Sequence, residues 1–309
     1  MLLYHDHAFA QHDTGSHPEC IARIERVNAM LEANGWLARA DCPTWTGASR
    51  DAIEKVHRAS YYNQLQAWCS AATGRIEADT VVSRGSWNAT LRAAGAAIDA
   101  VQRVVRGEDQ RAFCAIRPPG HHALVDAPMG FCLFNNVAIA AHAALAEGLN
   151  RVMIVDWDVH HGNGTQDVFW EDGRVGFFSI HRFPFYPGTG KADETGSGAG
   201  LGWIANEPVP GNVSLDTFLD RFRRGLEKMA DRVHPELILI SAGFDAHRTD
   251  PVGSLCLVDQ DFGTLTKIVK EVAATHCGGK VVSLLEGGYH LDHLPMSVNA
   301  HLEELVSLA

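Results

Sequence analysis

Asp156, Asp158 and His160 stand at alternate positions of the chain. In an extended segment alternate residues point to the same side, so the two carboxylates and the imidazole face the same region. Carboxylates that close repel one another unless a cation lies between them, and Asp and His are good ligands for divalent metals. The spacing therefore predicts a metal site, with Asp245 in another polar segment as a candidate further ligand.

A metal held by three protein ligands keeps a position open for water and lowers the pKa of that water towards ~7. Hydrolysis is the chemistry that follows. His121 and His122 follow two stiff prolines and are candidates for the general base and acid. Tyr289 follows two glycines, which allow close backbone approach, and is a candidate oxyanion donor. Taken alone, a His-His pair is more often structural or on the surface, and a Gly-Gly-Tyr segment is typical of a turn.

The segments that carry these residues follow short apolar runs. Continuous apolarity bounded by turn residues is typical of strands buried on both faces. Ligands of parallel sheets bind beyond the carboxyl ends of the strands, so these segments are expected to converge on one crevice. The predicted strands are 111–116, 151–155, 175–180, 236–241 and 280–285.

Segments with helical spacing alternate with these strands, which predicts an α/β fold with a mainly parallel sheet covered by helices on both sides. No Pro/Ser-rich linker or charge block divides the chain, so residues 1–309 are expected to form a single domain. The Pro- and Gly-rich stretch 183–212 is predicted to be loop. The predicted helices are 18–34, 86–106, 133–148, 214–233, 259–275 and 290–308.

Composition limits the partners of the protein. The 26 Lys and Arg against 37 Asp and Glu give a net charge of −11, and the absence of a basic run argues against direct binding of nucleic acid. Seven cysteines without a C-x-x-C pair indicate reduced thiols in a cytosolic protein. No signal peptide or membrane-spanning stretch is seen, so a cytoplasmic protein is expected. The oligomeric state stays open.

Five motifs, in this order along the chain, resemble those of the histone deacetylase family. The resemblance extends from the H-P-E at 17–19 to Tyr289, and Asn163 and Glu286 are similar to class II deacetylases and their bacterial relatives, including acetylpolyamine amidohydrolases. It implies the three-layer α/β/α sandwich of the arginase-deacetylase fold. The motifs are R-P-P-G-H-H at 117–122, G-F-C-L-F-N-N at 130–136, D-W-D-V-H-H-G-N-G-T at 156–165, S-A-G-F-D-A-H at 241–247 and E-G-G-Y at 286–289.

The resemblance implies that the protein removes acetyl or other acyl groups from amines, either acyl-lysine or a small acetylated amine, by zinc-dependent hydrolysis. It makes Asp158, His160 and Asp245 the zinc ligands. It also implies a potassium ion near the catalytic metal, bound by Asp156, Ser179 and several backbone carbonyls.

The resemblance also divides the catalytic roles. Tyr289 would donate to the carbonyl oxygen as it becomes an oxyanion, and His122, facing Asn163, would be the general base. His121, oriented by Asp156, would contribute mainly electrostatically. A carboxylate partner raises the pKa of an imidazole, whereas an amide orients it without adding charge, so the pKa values of the two histidines should separate.

A tunnel for the acyl-amine is implied by further matches to the family. Gly130 and Phe131 match a tunnel segment, and Tyr186 matches a tunnel aromatic that is usually Phe. Such walls would admit a slim methylene stem and exclude bulk. Arg23 matches a foot-pocket arginine that could attract the acetate product.

Three other functions stay open at this point. An acetylpolyamine amidohydrolase, or another metabolite amide hydrolase, is the runner-up; Val252 stands where some polyamine-selective relatives carry a carboxylate, which favours acyl-lysine or a neutral substrate. A reader that binds acyl-lysine without turnover would have no use for an oxyanion donor and a base together. An arginase-like ureohydrolase with two manganese ions would need additional bridging carboxylates, and Asn163 supplies none.

Overall fold

A computed structural model describes residues 1–307 around a central seven-stranded sheet. Leu308 and Ala309 lie outside the described residues, and with them the last position of the predicted helix 290–308 and the end of the predicted domain 1–309. The strands are β1 (Leu2–Tyr4), β2 (Gly74–Arg75), β3 (Val81–Val82), β4 (Arg111–Cys114), β5 (Val152–Asp156), β6 (Val175–Arg182), β7 (Ile204–Val209), β8 (Leu237–Ala242) and β9 (Val281–Leu285).

The central sheet has the strand order β1-β4-β9-β8-β5-β6-β7, and each neighbouring pair in it is parallel. Strands β2 and β3 form a separate antiparallel hairpin. All residues of β5, β8 and β9 are buried, as expected of strands covered on both faces. All five predicted strands are present, with ends that shift by one or two residues.

Helices cover the two faces of the sheet. Helices α5 and α6 pack together against strands that include β4, β5, β8 and β9, whereas α8, α9 and α10 form a second group. This confirms the predicted three-layer α/β/α sandwich. The helices of the described residues are α1 (Ile21–Ala33), α2 (Trp36–Arg39), α3 (Arg50–Ile53), α4 (Ala59–Ala71), α5 (Ser86–Val105), α6 (Asn136–Ala146), α7 (Asn163–Val168), α8 (Leu215–Val233), α9 (Asp259–Cys277) and α10 (His293–Val306), with 3₁₀ turns at His7–Gln11 and Gly198–Gly200.

The prediction of loop throughout 183–212 was wrong at β7. Its residues Ile-Ala-Asn-Glu-Pro-Val include three types that are rare in strands, which hid it in the sequence. The strand pairs only with β6 in the sheet order, and an edge position tolerates Pro208 because one side of the strand needs no ladder donor. Strand β1 was also missed because three residues give no readable period.

No helix within residues 1–307 combines the length and the apolar character needed to cross a membrane. Of the seven cysteines, all unpaired, four are buried: Cys69, Cys114, Cys132 and Cys277.

A buried ion network fixes the N-terminal part of the chain to the carboxyl edge of the sheet. Glu19 accepts two hydrogen bonds from Arg117, at 2.5 and 2.7 Å, and one from Arg23 at 2.8 Å. All three side chains are fully buried. Arg23 also donates to the carbonyl oxygens of Glu286 and Gly288, both at 2.6 Å. The network therefore braces the segment that follows β9.

We expect Glu19→Gln to lower the free energy of unfolding by about 3–5 kcal/mol at pH 7, because two buried guanidinium groups lose their counter-charge. Burial would raise the pKa of Glu19, but the guanidinium groups of Arg117 and Arg23 lower it from 4.5 to about 2. Because the pKa of Glu19 is lower in the folded than in the unfolded protein, ionised Glu19 stabilises the fold at pH values above its unfolded pKa. This stabilisation is lost as the pH falls towards its folded pKa. The difference between wild type and variant should therefore shrink below pH 4.5.

Denaturant titrations between pH 7 and pH 3 measure this difference. Glu303→Gln is the matched control, since it removes an exposed partner of Arg39, and we expect it to cost under about 1 kcal/mol. A Glu19→Gln effect as small as that of the control, or one independent of pH, would contradict the prediction.

Candidate active site

Polar segments follow adjacent strands of the sheet at one edge. Asp156 ends β5 and lies in register with Ser179 of β6 and Ser241 of β8. Asp245 follows β8, and Tyr289 follows β9. Because parallel strands end at the same edge, residues far apart in the sequence meet in one crevice.

Asp158, His160 and Asp245 form a group of donors, here called the first triad, whose ligand atoms lie within 4.8 Å of one another. His160 Nδ1 lies 3.0 Å from Asp158 Oδ1 and 3.1 Å from Asp245 Oδ2. Both carboxylates are completely buried, and burial, followed by the charge of Asp158, raises the pKa of Asp245 to about 7. Two buried like charges aimed at one point favour a bound cation, and this donor set fits zinc.

Backbone groups hold the two carboxylates in place. Asp158 Oδ1 accepts from the N–H of His160, and Asp158 Oδ2 accepts from the N–H of Gly287, both at 2.9 Å. Asp245 Oδ1 accepts from the N–H of Val159 at 2.9 Å. A Cβ at Gly287 would lie 2.3 Å from Asp245 Oδ2 and 2.6 Å from Asp158 Oδ2. Only glycine leaves room for both carboxylates at this point.

His121 and His122 stack beside the first triad with ring centroids 4.0 Å apart, and each has a different partner. His121 Nδ1 lies 2.9 Å from Asp156 Oδ2, and His122 Nδ1 lies 2.7 Å from Asn163 Oδ1. Burial would lower the pKa of His121, but the carboxylates raise it well above its usual value. Burial, followed by the charges of His121 and His160, lowers the pKa of His122 well below its usual value.

These contacts define the protonation states of the two rings. Asn163 Oδ1 can only accept a hydrogen bond, so the proton of neutral His122 sits on Nδ1 and its Nε2 keeps a free lone pair. In spite of burial, the carboxylates raise the pKa of His121, which favours its protonated form beside Asp156. One ring therefore favours the neutral form, which can accept a proton, while the other favours the cation.

A cavity of about 230 Å³ leads from the surface to His160 and His122. Phe131 adopts φ +69°, a left-handed conformation that is unfavourable for a bulky residue, and its ring meets that of Tyr289 edge-on at 5.6 Å. A Cβ at Gly130 would lie 2.3 Å from the His122 ring. The cavity is lined by Asp79, His122, Gly130, Phe131, His160, Phe185, Tyr186, Val252 and Tyr289.

Two residues of this lining, Asp79 and Phe185, were missed in the sequence. Phe185 stacks on His160 with ring centroids 5.2 Å apart. Asp79 lies in the turn between β2 and β3, where its Oδ1 accepts from the hydroxyl of Thr80 at 3.0 Å. Burial, followed by hydrogen bonding with Glu77, raises the pKa of Asp79. Asp79 belongs to no motif, and two-residue strands leave no period that could place it near the site.

The structure also locates the remaining candidate residues. Arg23 lies beneath the cavity with its guanidinium carbon 4.8 Å from the centroid of the Tyr289 ring. Ser179 Oγ, next to Asp156 across the β5–β6 ladder, lies 2.9 Å from His181 Nδ1. Arg23 is thus adjacent to the reaction site, and the oxygen donors proposed for potassium lie on neighbouring strands.

The sequence model of the histone deacetylase domain family matches residues 17–305 of the chain. The chain belongs to the histone deacetylase family. This confirms the family assigned from the motifs and makes the protein a member of a family of deacetylases and amidohydrolases.

Relatives of this deacetylase-family chain include both plant and bacterial proteins. Histone deacetylase 14, chloroplastic, of Arabidopsis thaliana is 38% identical over 96% of this chain and 74% of its own length. A histone deacetylase-like amidohydrolase of Pseudomonas aeruginosa is 36% identical, covering 94% of this chain and 77% of that protein. The crystal structure of the HDA15 HD domain superimposes with a TM-score of 0.94 at 34% identity, covering 100% of this chain and 91% of that one. The predicted fold is thereby confirmed, whereas a cytoplasmic location stays a prediction because some relatives are named chloroplastic.

We expect the Asp245→Ala variant to bind one zinc ion fewer per chain than the wild type, because a buried ligand is lost and His160 loses one of its two carboxylate neighbours. Metal analysis by mass spectrometry after dialysis measures it. Asp126→Ala, which removes an exposed carboxylate paired with Arg58, is the control and should keep the wild-type content. If the Asp245→Ala variant bound as much zinc as the wild type, Asp245 would not be a zinc ligand.

Proposed function

We propose that this protein is a zinc-dependent deacetylase that hydrolyses the amide bond of an acylated amine, either acyl-lysine or a small acetylated amine. The observation that carries the proposal is the buried first triad at the inner end of a narrow cavity that also presents Tyr289 and His122. Asp158, His160 and Asp245 would hold the zinc. The ion, when bound, supplies Lewis acidity towards the amide carbonyl and lowers the pKa of water at the site.

His122 acts in this proposal as the general base and then the general acid. Its free Nε2 takes the proton from the attacking water, while Asn163 holds the Nδ1–H. The oxygen of the water bonds to the carbonyl carbon, and the same proton passes to the amine nitrogen as the C–N bond breaks, which releases a carboxylic acid and a free amine. The acid then ionises to the carboxylate, and the proton that it gives up leaves with the amine or the solvent. The cationic His121 remains protonated and stabilises the negative charge that develops between the two steps.

Tyr289 acts as the oxyanion donor. Burial raises the pKa of its phenol well above the usual value in spite of the positive charge of Arg23, so the hydroxyl stays protonated at neutral pH. A neutral phenol donates a hydrogen bond most strongly when the carbonyl oxygen gains charge, which favours the transition state over the substrate.

We expect Tyr289→Phe to lower kcat by on the order of 10²-fold or more, with zinc content unchanged, because one oxyanion donor is lost. Tyr186→Phe is the matched control, since it removes a phenol from the same cavity that takes no part in the reaction. Steady-state kinetics and metal analysis of both variants test this. Turnover of Tyr289→Phe equal to that of the control would overturn the oxyanion role.

The walls of the cavity favour an unbranched acyl-amine. Phe131, Phe185 and Tyr186 line it with aromatic rings, which suit a methylene chain and leave no room for bulk. Acyl-lysine and small acetylated amines both have such a stem.

Two accessory roles complete the proposal. Asp156 and Ser179 offer a carboxylate and a hydroxyl oxygen on neighbouring strands, which suits a hard cation such as potassium. Arg23, buried beneath Tyr289, supplies a positive charge that would attract the carboxylate product. Its hydrogen bonds to Glu19, Glu286 and Gly288 hold that charge in place.

The carboxylate of Asp79 favours a second candidate, hydrolysis of an acetylated polyamine. Asp79 lines the same cavity as Tyr186 and Val252, so the cavity contains an acidic group although position 252 itself is apolar. A polyamine carries a second ammonium group, which a carboxylate at the end of the cavity would attract.

We expect Asp79→Asn to raise the KM for acetylspermidine several-fold and to leave the KM for a neutral acetylated alkylamine unchanged, because only the former carries an ammonium group. Asp126→Asn changes the net charge equally, away from the cavity, and is the control. Parallel kinetics on these substrates and on an acetyl-lysine peptide rank the substrate classes. An equal rise in KM for the charged and neutral amines would exclude charge recognition by Asp79.

A further inference from the structure

A second group of metal-type donors lies outside the cavity. It consists of His247, Asp259 and His293, here called the second triad, whose ligand atoms also lie within 4.8 Å of one another. The three side chains come from three elements: His247 follows β8, Asp259 is the first residue of α9, and His293 is the first residue of α10. His247 closes the S-A-G-F-D-A-H motif at 241–247, but the proposed reaction uses none of the three residues.

Both imidazoles lie next to the Asp259 carboxylate. His293 Nδ1 lies 3.1 Å from Asp259 Oδ2, and His247 Nε2 lies 3.6 Å from Asp259 Oδ1. These separations are close to those of the first triad, where His160 lies 3.0 and 3.1 Å from its carboxylates. The salt-bridge partners of Asp259 among residues 1–307 are these two histidines.

Surrounding hydroxyl groups orient two of the donors. The hydroxyl of Ser297 donates to Asp259 Oδ1 at 2.9 Å. Thr249 Oγ1 lies 2.9 Å from Nδ1 of His247, which leaves Nε2 of that ring facing Asp259. Outer contacts of this kind hold the ligands of metal sites in position.

We propose that the second triad binds a divalent transition metal of the zinc class. Two imidazoles and one carboxylate suit Zn²⁺, Co²⁺, Ni²⁺ and Cu²⁺ rather than Ca²⁺ or Mg²⁺, which prefer oxygen ligands alone. Donors about 2.1 Å from one ion are at most ~4.2 Å apart, so small ring rotations close the widest pair. His293 is one-third exposed, which gives an ion a path from solvent and leaves a coordination position open to water.

The position of the second triad links it mechanically to the active site. His247 lies two residues after Asp245, and His293 lies four residues after Tyr289. An ion held there would join the segments that follow β8 and β9 and raise the thermal stability of the protein. The second triad shares no residue with the first, so its existence does not depend on the proposed function.

A metal-free explanation competes with this proposal. The rings of His247 and His293 stack with centroids 4.3 Å apart at 22°, and hydrogen bonds to Asp259 alone would produce a similar cluster. The two explanations differ in the number of ions that the protein binds.

Titration of the full-length, chelator-stripped protein with Co²⁺ and Zn²⁺ separates them. We expect two ions per chain in the wild type, one in His293→Gln, one in Asp245→Ala and none in the double variant. His290→Gln is the matched control: its ring lies 4.5 Å from that of His293 but outside the triad, and it should bind two. In Asp245→Ala, the remaining ion should raise Tm, and this rise should vanish in the double variant.

Each other outcome overturns the proposal. A wild type that binds one ion, or a second ion that survives in folded His293→Gln, supports the metal-free cluster. Asp259→Asn, with folding checked by circular dichroism, repeats the test should His293→Gln be unstable. Loss of both ions in Asp245→Ala would place them together at the first triad. A single ion in the wild type that is lost in Asp245→Ala and kept in His293→Gln would contradict the second triad while leaving the proposed function intact.

Discussion

Two aspartates that point at each other inside the protein set the main constraint on this structure. Asp158 and Asp245 are completely buried in the segments that follow the neighbouring strands β5 and β8, and their charges repel. Burying two charged carboxylates destabilises the folded state unless a cation and fixed hydrogen-bond donors offset the lost hydration. His160 and three backbone N–H groups provide part of that compensation. The geometry of the crevice keeps both carboxylates fixed beside each other.

The surrounding chain acts as a rigid frame for this pair. Gly287 brings the end of β9 against both carboxylates, and the buried Glu19 network anchors the adjoining backbone through Arg23. The two histidines beside the pair experience opposite environments, since one faces a carboxylate and the other an amide. Burial strengthens the electrostatic interactions of both histidines with their partners, because charges in the protein interior are screened less than charges in water.

Much of the fold and of the site was accessible from the sequence because of strong local signals. The apolar runs of β5, β8 and β9 predicted buried parallel strands, and the polar segments after them predicted one crevice. The structure brings Asp156, Asp158, His160, Asp245 and Tyr289 together there. Their catalytic roles rest on the resemblance and on geometry, and they remain proposals.

What the sequence did not reveal depends on contacts between distant segments. The edge strand β7 carries Asn, Glu and Pro, so its strand character comes from pairing with β6 rather than from propensity. Asp79 reaches the cavity through a two-residue hairpin without periodicity. The second triad joins residues from three elements, none of which contains a metal-binding spacing of its own.

The strand order has a consequence for how the protein is made. Strand β9, the last strand of the described residues, inserts between β4 and β8, which are not neighbours without it. Parallel pairings this distant in sequence form slowly, and until β9 arrives the nascent sheet is split into two halves. Gly287 and Tyr289 lie beyond that strand, so a nascent chain has all the first-triad ligands before it has the frame that confines them. Assembly of the active site therefore has to wait for β9 to join the two halves of the sheet.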